Sequence, residues 1–160
     1  VNGEALAARL VALCRARGVT LATAESCTGG MIAAAITAIP GSSAVLDRGF
    51  VTYSNAAKTA MLGVPAELLV AFGAVSESVA ARMAAGARER AGVAIAVSVT
   101  GVAGPDGGTA YKPVGTVWFG LAGRDGEVIT RRQVFAGDRA AIRAAATDYA
   151  LTLLLGAAET

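Results

Sequence analysis

Apolar positions recur along this chain with a period that changes from block to block, and each change marks an element. From Glu4 to Arg17, Leu6, Leu10, Leu13 and Cys14 fall on one helical face, and Gly18 ends the run. Val19 to Ala24 reads as a first strand. Gly30 to Ile39 reads as an Ala/Ile-rich helix stopped by Pro40-Gly41. Leu46 to Tyr53 is a second strand, and Ala56 to Leu62 a short helix carrying Lys58. Gly63-Val64-Pro65 breaks that helix, and Pro65 suits the first turn of another, running to Phe72. Ser76 caps a long helix to Ala91, with Val79, Met83 and Ala87 inward and Gly92 past its end.

Val93 to Val99 has almost no polar residue, as a strand covered on both faces requires. Val114 to Ala122 and Glu127 to Ala136 flank Gly123-Arg124-Asp125-Gly126, a hairpin turn. Asp138 caps a last helix to Leu155, with Ile142, Tyr149 and Leu153 inward. The order α-β-α-β-α-α-α-β-β-β-α predicts a three-layer α/β/α sandwich around a mixed, mostly parallel five-stranded sheet. No linker, repeat or low-complexity stretch divides the pattern, so residues 1–160 are expected to form a single domain.

Composition narrows the function classes. The chain is 54% apolar and 16% charged, which indicates a core-rich globular protein rather than a disordered one. No residue is charged from Ser26 to Leu46, but glycines and Pro40 interrupt that stretch, so it predicts a buried helix and no membrane span. A net charge of +2 with scattered arginines gives no basic stripe for nucleic acid, while suiting a small anionic ligand. Two cysteines and no secretory signal point to a reducing cytoplasm. The absence of histidine excludes a Ser-His-Asp triad and a Cys-His dyad, and removes the commonest zinc ligand. No metal and no cofactor are expected.

Candidate chemistry gathers at Thr23-Ala24-Glu25-Ser26-Cys27-Thr28-Gly29-Gly30, the turn between the first strand and its helix. Free N–H groups and the positive dipole end of a helix suit an anion there. Gly29 and Gly30 admit a ligand close to the backbone. Ser26, Cys27 and Thr28 add two hydroxyls and a thiol. The turn therefore reads either as a nucleophile beside an oxyanion-stabilising helix end, or as a serine cap with a phosphate cradle and no chemistry. Cys27 rivals Ser26 as the nucleophile. A second Gly-rich loop, Thr100 to Gly108, follows the most apolar strand; both loops lie where open α/β sheets bind ligands. Neither has a nucleotide-binding fingerprint.

The chain has twelve arginines but only two lysines, Lys58 and Lys112. Arginine cannot release a proton, whereas a partly buried lysine can serve as a base. Lys58 is thus either a base or a solvated surface charge. A Ser-Lys pair activates serine without histidine. Tyr53 lies five residues before Lys58, at a strand end. Thr100 is either a strand-end cap or a hydroxyl facing the ligand. Arg139 sits in the first turn of the last helix, against the dipole, and an anion contact would explain it.

Six segments occur in one order: the 23–30 turn; Val51-Thr52-Tyr53-Ser54-Asn55 with Lys58; Leu62-Gly63-Val64; Gly73-Ala74-Val75-Ser76-Glu77; Ser98-Val99-Thr100-Gly101 with Ala103-Gly104-Pro105; and Lys112-Pro113-Val114-Gly115-Thr116. In these the chain closely resembles the CinA C-terminal domain family, whose active members are nicotinamide-nucleotide amidohydrolases. The resemblance covers essentially the whole chain. It implies a three-layer α/β/α fold and hydrolysis of the carboxamide of nicotinamide mononucleotide (NMN) to nicotinate mononucleotide and ammonia, in NAD salvage. It further implies Ser26 as nucleophile, Lys58 as base and Tyr53 as helper. Cys27, Thr28, Gly29, Gly30, Asn55, Thr100, Gly101 and Arg139 are the expected substrate contacts. The partner so implied is a small pyridine mononucleotide, with a homodimer as the assembly entertained. Arg48-Gly49-Phe50 and Asp106 depart from the family pattern near the site. The alternatives are a non-catalytic nucleotide-binding module of the competence/damage-inducible type, and an interaction domain tied to DNA uptake.

Overall fold

The computed structural model describes residues 2–160. Asn2 caps α1 (Gly3–Arg17) by accepting from Ala5 N at 2.8 Å, and Gly18 closes it in the left-handed region. The chain continues through β1 (Leu21–Glu25), α2 (Met31–Thr37), a 3₁₀ turn at Ser42–Ala44, and β2 (Leu46–Val51). Next come α3 (Asn55–Leu62), α4 (Ala66–Phe72) and α5 (Glu77–Ala91), then β3 (Ile95–Gly101), β4 (Thr116–Ala122), β5 (Val128–Val134) and α6 (Arg139–Glu159). The element order is the one the sequence pattern predicts.

The five strands form one sheet in the order β2-β1-β3-β4-β5. β1 pairs in parallel with β2 and β3, while β3–β4 and β4–β5 are antiparallel. The pairings are thus evenly split rather than mostly parallel, although β4 alone runs against the other four. The reason is local: the hairpin inserts β4 beside β3, and this reverses two pairings with one strand.

Helices cover both faces. α1, α2 and α6 pack on one side, where Leu10, Ile32, Ile36, Ile142, Leu151 and Leu154 meet Leu21, Ile95, Val97 and Val99. On the other side α5 lies against the sheet, with α3 and α4 outside it, and Met83, Val79 and Leu62 meet Ala22, Ala24 and Ala96. The strand residues on that second face are small, so α5 approaches closely. A Cβ on Gly120 would lie 2.4 Å from Ala80 O, and one on Gly86 would lie 2.0 Å from Leu62 O. This tight α3–α5–sheet packing holds α3, and therefore Lys58, at a fixed height above the strand ends.

β1 is followed by β2 on one side and is flanked by β3 on the other. The carboxyl ends of β1 and β3 therefore bound a topological switch point, the usual ligand crevice of such sheets. Among the described residues no helix is long and apolar enough to cross a membrane.

Candidate active site

β1 delivers Glu25 and Ser26 to the sheet edge, where Ser26 N donates to Val99 O at 2.9 Å. The next residues turn sharply: Gly29 N donates to Ser26 O at 3.0 Å, and Gly29 and Gly30 take φ of 58° and 105°. Glycine fits those angles without the strain a Cβ would bring. Ser26 is 8% exposed and opens on a cleft of about 290 Å³.

Lys58 reaches the same point from α3. Ser54 caps that helix by accepting from Ala57 N at 3.0 Å. The Lys58 side chain is 1% exposed, among the largest of the fully buried ones. Its Nζ lies 2.9 Å from Ser26 Oγ, 2.8 Å from Thr52 O and 3.3 Å from Tyr53 O. No carboxylate pairs with it among the described residues. Burial pulls its pKa below the ordinary lysine value, and proximity to Cys27 acts the other way. That second influence needs a thiolate, and burial pushes the Cys27 thiol up to about 11, so at neutral pH it is absent. A neutral amine has two hydrogens and one lone pair. The two carbonyls accept the hydrogens, leaving the lone pair for the Ser26 hydroxyl to donate into. The geometry therefore suits proton transfer from Ser26 to Lys58. The neutral thiol also makes Cys27 a poor rival nucleophile.

The helix end that the sequence offers to an anion is already filled. Glu25, fully buried, turns its carboxylate back onto α2. It accepts from Thr28 Oγ1 at 2.6 Å, Gly30 N at 3.2 Å, Ile32 N at 2.9 Å and Ala33 N at 3.0 Å. Thr28, Gly29 and Gly30 accordingly do not line the cleft; they build the capped turn behind Ser26. They are the expected substrate contacts, but here a protein carboxylate takes the helix-end site an external anion would use. The backbone N–H groups of Cys27 and Thr28 alone, between Ser26 and Ala34, meet no acceptor among the described residues.

The other expected residues gather around the opening. Cys27, Tyr53, Asn55, Thr100, Gly101 and Arg139 line the cleft, together with Ala74, Val75 and the 102–107 loop. Thr100 Oγ1 donates to Ala74 O at 2.9 Å and so ties the 73–76 loop to the end of β3. Arg139 reaches from α6 and donates to Gly104 O at 2.7 Å and to Tyr53 Oη at 3.0 Å. Tyr53 is 62% exposed, and its hydroxyl meets Arg139 rather than Lys58 or Ser26. Only its carbonyl touches Lys58. Lys112 stands apart: its Nζ donates to Phe72 O at 2.6 Å and closes the end of α4.

Sequence reasoning missed two residues here. Glu25 is the only charge between Arg17 and Asp47, and a lone carboxylate ending an apolar strand was a readable signal. Arg143 lies one helical turn after Arg139, on the same face. Its Nε donates to Cys27 O at 2.9 Å and its Nη2 to Thr28 O at 3.3 Å.

Fold and site together define an α/β/α domain with a buried serine–lysine pair at the carboxyl edge of its sheet. A profile of the CinA C-terminal domain matches residues 3–158, and the chain belongs to that family. It is 57% identical over 150 residues to the nicotinamide-nucleotide amidohydrolase PncC of Enterobacter agglomerans, covering 94% of this chain and 92% of that one. Its identity to the PncC of Escherichia coli K12 is 59% over 140 residues, covering 88% and 85%. The crystal structure of the competence/damage inducible protein CihA from Agrobacterium tumefaciens superposes with a TM-score of 0.95 at 48% identity, covering 98% and 95%.

Proposed function

We propose that this chain is a nicotinamide-nucleotide amidohydrolase, converting NMN to nicotinate mononucleotide and ammonia by a serine nucleophile and a lysine base. The observation that carries the reading is the buried Lys58 Nζ, 2.9 Å from Ser26 Oγ, with two carbonyls holding its hydrogens. The amidohydrolase names of relatives at 57% and 59% identity support the substrate.

In this scheme Ser26 Oγ attacks the carboxamide carbon as its proton passes to Lys58. The oxyanion forms beside the turn, where the Cys27 N–H is unpaired and Cys27 lines the cleft. The C–N bond then breaks, Lys58 returns the proton to the departing nitrogen, and ammonia leaves a nicotinoyl ester on Ser26. Water adds to that ester with Lys58 again taking a proton. Collapse restores Ser26 and releases the nicotinate nucleotide.

The substrate phosphate belongs to the rim, where Arg139 and the 102–107 loop face the cleft. Tyr53 acts there as a recognition residue through its bond to Arg139. Residues 1–160 form one catalytic domain in this reading, acting in the cytoplasm in pyridine nucleotide salvage. The test is ammonia release by the purified protein from NMN, nicotinamide riboside and nicotinamide. Release from NMN is expected; binding of NMN without release would favour the non-catalytic module.

A further inference from the structure

Arg143 belongs to none of the six sequence segments and does not line the cleft, yet it grips the nucleophile turn. It donates to two successive carbonyls, Cys27 O and Thr28 O. No carboxylate pairs with it among the described residues. In a trans peptide the N–H points opposite to the C=O. With Cys27 O turned toward Arg143, the Thr28 N–H is turned away from it. Ser26 O accepts from Gly29 N inside the turn, which sends the Cys27 N–H outward as well. These are the two N–H groups left without an acceptor. Of the two, the Cys27 N–H belongs to a residue on the cleft, whereas Thr28 is fully buried. At the far end Glu25 pins Thr28, Gly30, Ile32 and Ala33, so the turn is bracketed by opposite charges.

We propose that Arg143 is a positioning residue for acyl transfer, holding the turn by its Cys27 and Thr28 carbonyls so that the free N–H of Cys27, a residue that lines the cleft, meets the developing oxyanion. This rests on the Ser26 amidohydrolase reading above. The test compares wild type, Arg143→Met and Arg143→Lys. It measures kcat and KM for NMN, the melting temperature, and the affinity for 3-pyridineboronic acid by boron NMR. The boronate forms a tetrahedral adduct with a reactive serine and needs no amide turnover.

For Arg143→Met, kcat is expected to fall on the order of 10²-fold, the scale of a lost oxyanion donor. KM should stay within about twofold, and boronate affinity should fall in proportion to kcat. Arg143→Lys should recover part of the loss, since lysine keeps the charge without the fork. Unchanged kcat and boronate affinity in Arg143→Met overturn the proposal, and a rise in KM alone does so by assigning Arg143 to substrate binding. Either result leaves the amidohydrolase reading intact if wild type releases ammonia. If wild type releases none, that reading fails, and boronate affinity across the variants still decides the positioning role. Should Arg143→Met not fold, Arg143→Lys decides: reduced kcat at an unchanged melting temperature supports positioning, and full activity overturns it.

Discussion

At the inner wall of the cleft, Lys58 is 1% exposed and its amine meets three oxygens; at the rim, Tyr53 is 62% exposed and its hydroxyl meets one arginine. The wall is similarly dense elsewhere. Glu25 accepts four hydrogen bonds, and Arg143 donates two to the neighbouring turn. Asn55, Asp106 and Gly107 on the rim are exposed. On the proposed function, the contrast follows from what each half must do. A proton transfer between serine and lysine needs a fixed distance and a lysine that gives up its charge more readily than usual, and burial favours both. A charged nucleotide arrives hydrated, and groups that exchange water for phosphate must be reachable. Wall substitutions should therefore lower kcat, and rim substitutions should raise KM.

The largest effect tests the wall at its centre. Ser26→Ala should lower kcat by about 10⁴ or more while NMN affinity changes little, measured by ammonia release and calorimetry. Cys27→Ala should stay active. Activity surviving Ser26→Ala but lost in Cys27→Ala would move the chemistry to the thiol and break the contrast as drawn.

Lys58 separates base from anchor. Lys58→Arg keeps the charge but cannot accept the serine proton, so it should lose about 10²–10⁴ in kcat, as Lys58→Ala does. An arginine variant with near-normal kcat and a raised KM would turn Lys58 into a substrate anchor and erase the division between wall and rim.

A smaller effect belongs to the rim. Arg139→Met should raise KM for NMN by about tenfold to a hundredfold, the scale of a lost charge-assisted hydrogen bond, with kcat within a few-fold. The same variant should leave nicotinamide riboside nearly unaffected, since it carries no phosphate. Equal losses on both substrates would place the phosphate elsewhere.

The smallest effect is on stability. Burial lowers the pKa of Lys58 in the folded chain. Between that value and the unfolded value of about 10.4, the unfolded chain binds the extra proton. Falling pH therefore favours unfolding in that window, and stability rises as pH increases toward the unfolded value. The melting temperature of Lys58→Met should lack this rise. Parallel melting curves for the two proteins would mean that Lys58 keeps an ordinary pKa. With Lys58 as the proposed base, the same lowered pKa should make kcat/KM of wild type increase with pH as Lys58 loses its proton.

Much of the architecture was legible in the chain itself. Period changes, the serine and aspartate caps at Ser76 and Asp138, and glycines such as Gly18 and Gly92 are local signals, and they placed every helix and strand to within a few residues. Likewise, the 23–30 turn drew attention to Ser26, missing histidine and scarce lysine made Lys58 a candidate base, and the family resemblance joined the two. What the sequence could not determine was how groups distant along the chain meet. The 2.9 Å approach of residues 26 and 58 depends on α3 packing against α5 and α5 against the sheet. The helix end at Gly29-Gly30 looked open because its occupant, Glu25, is a strand residue that turns back only in the folded chain. Arg143, separated from Cys27 by more than half the chain, left no local trace. Caps and periods act within a turn or two of backbone, so the chain states them directly. The pairing of buried polar groups is settled only where tertiary packing excludes water and leaves each of them one partner.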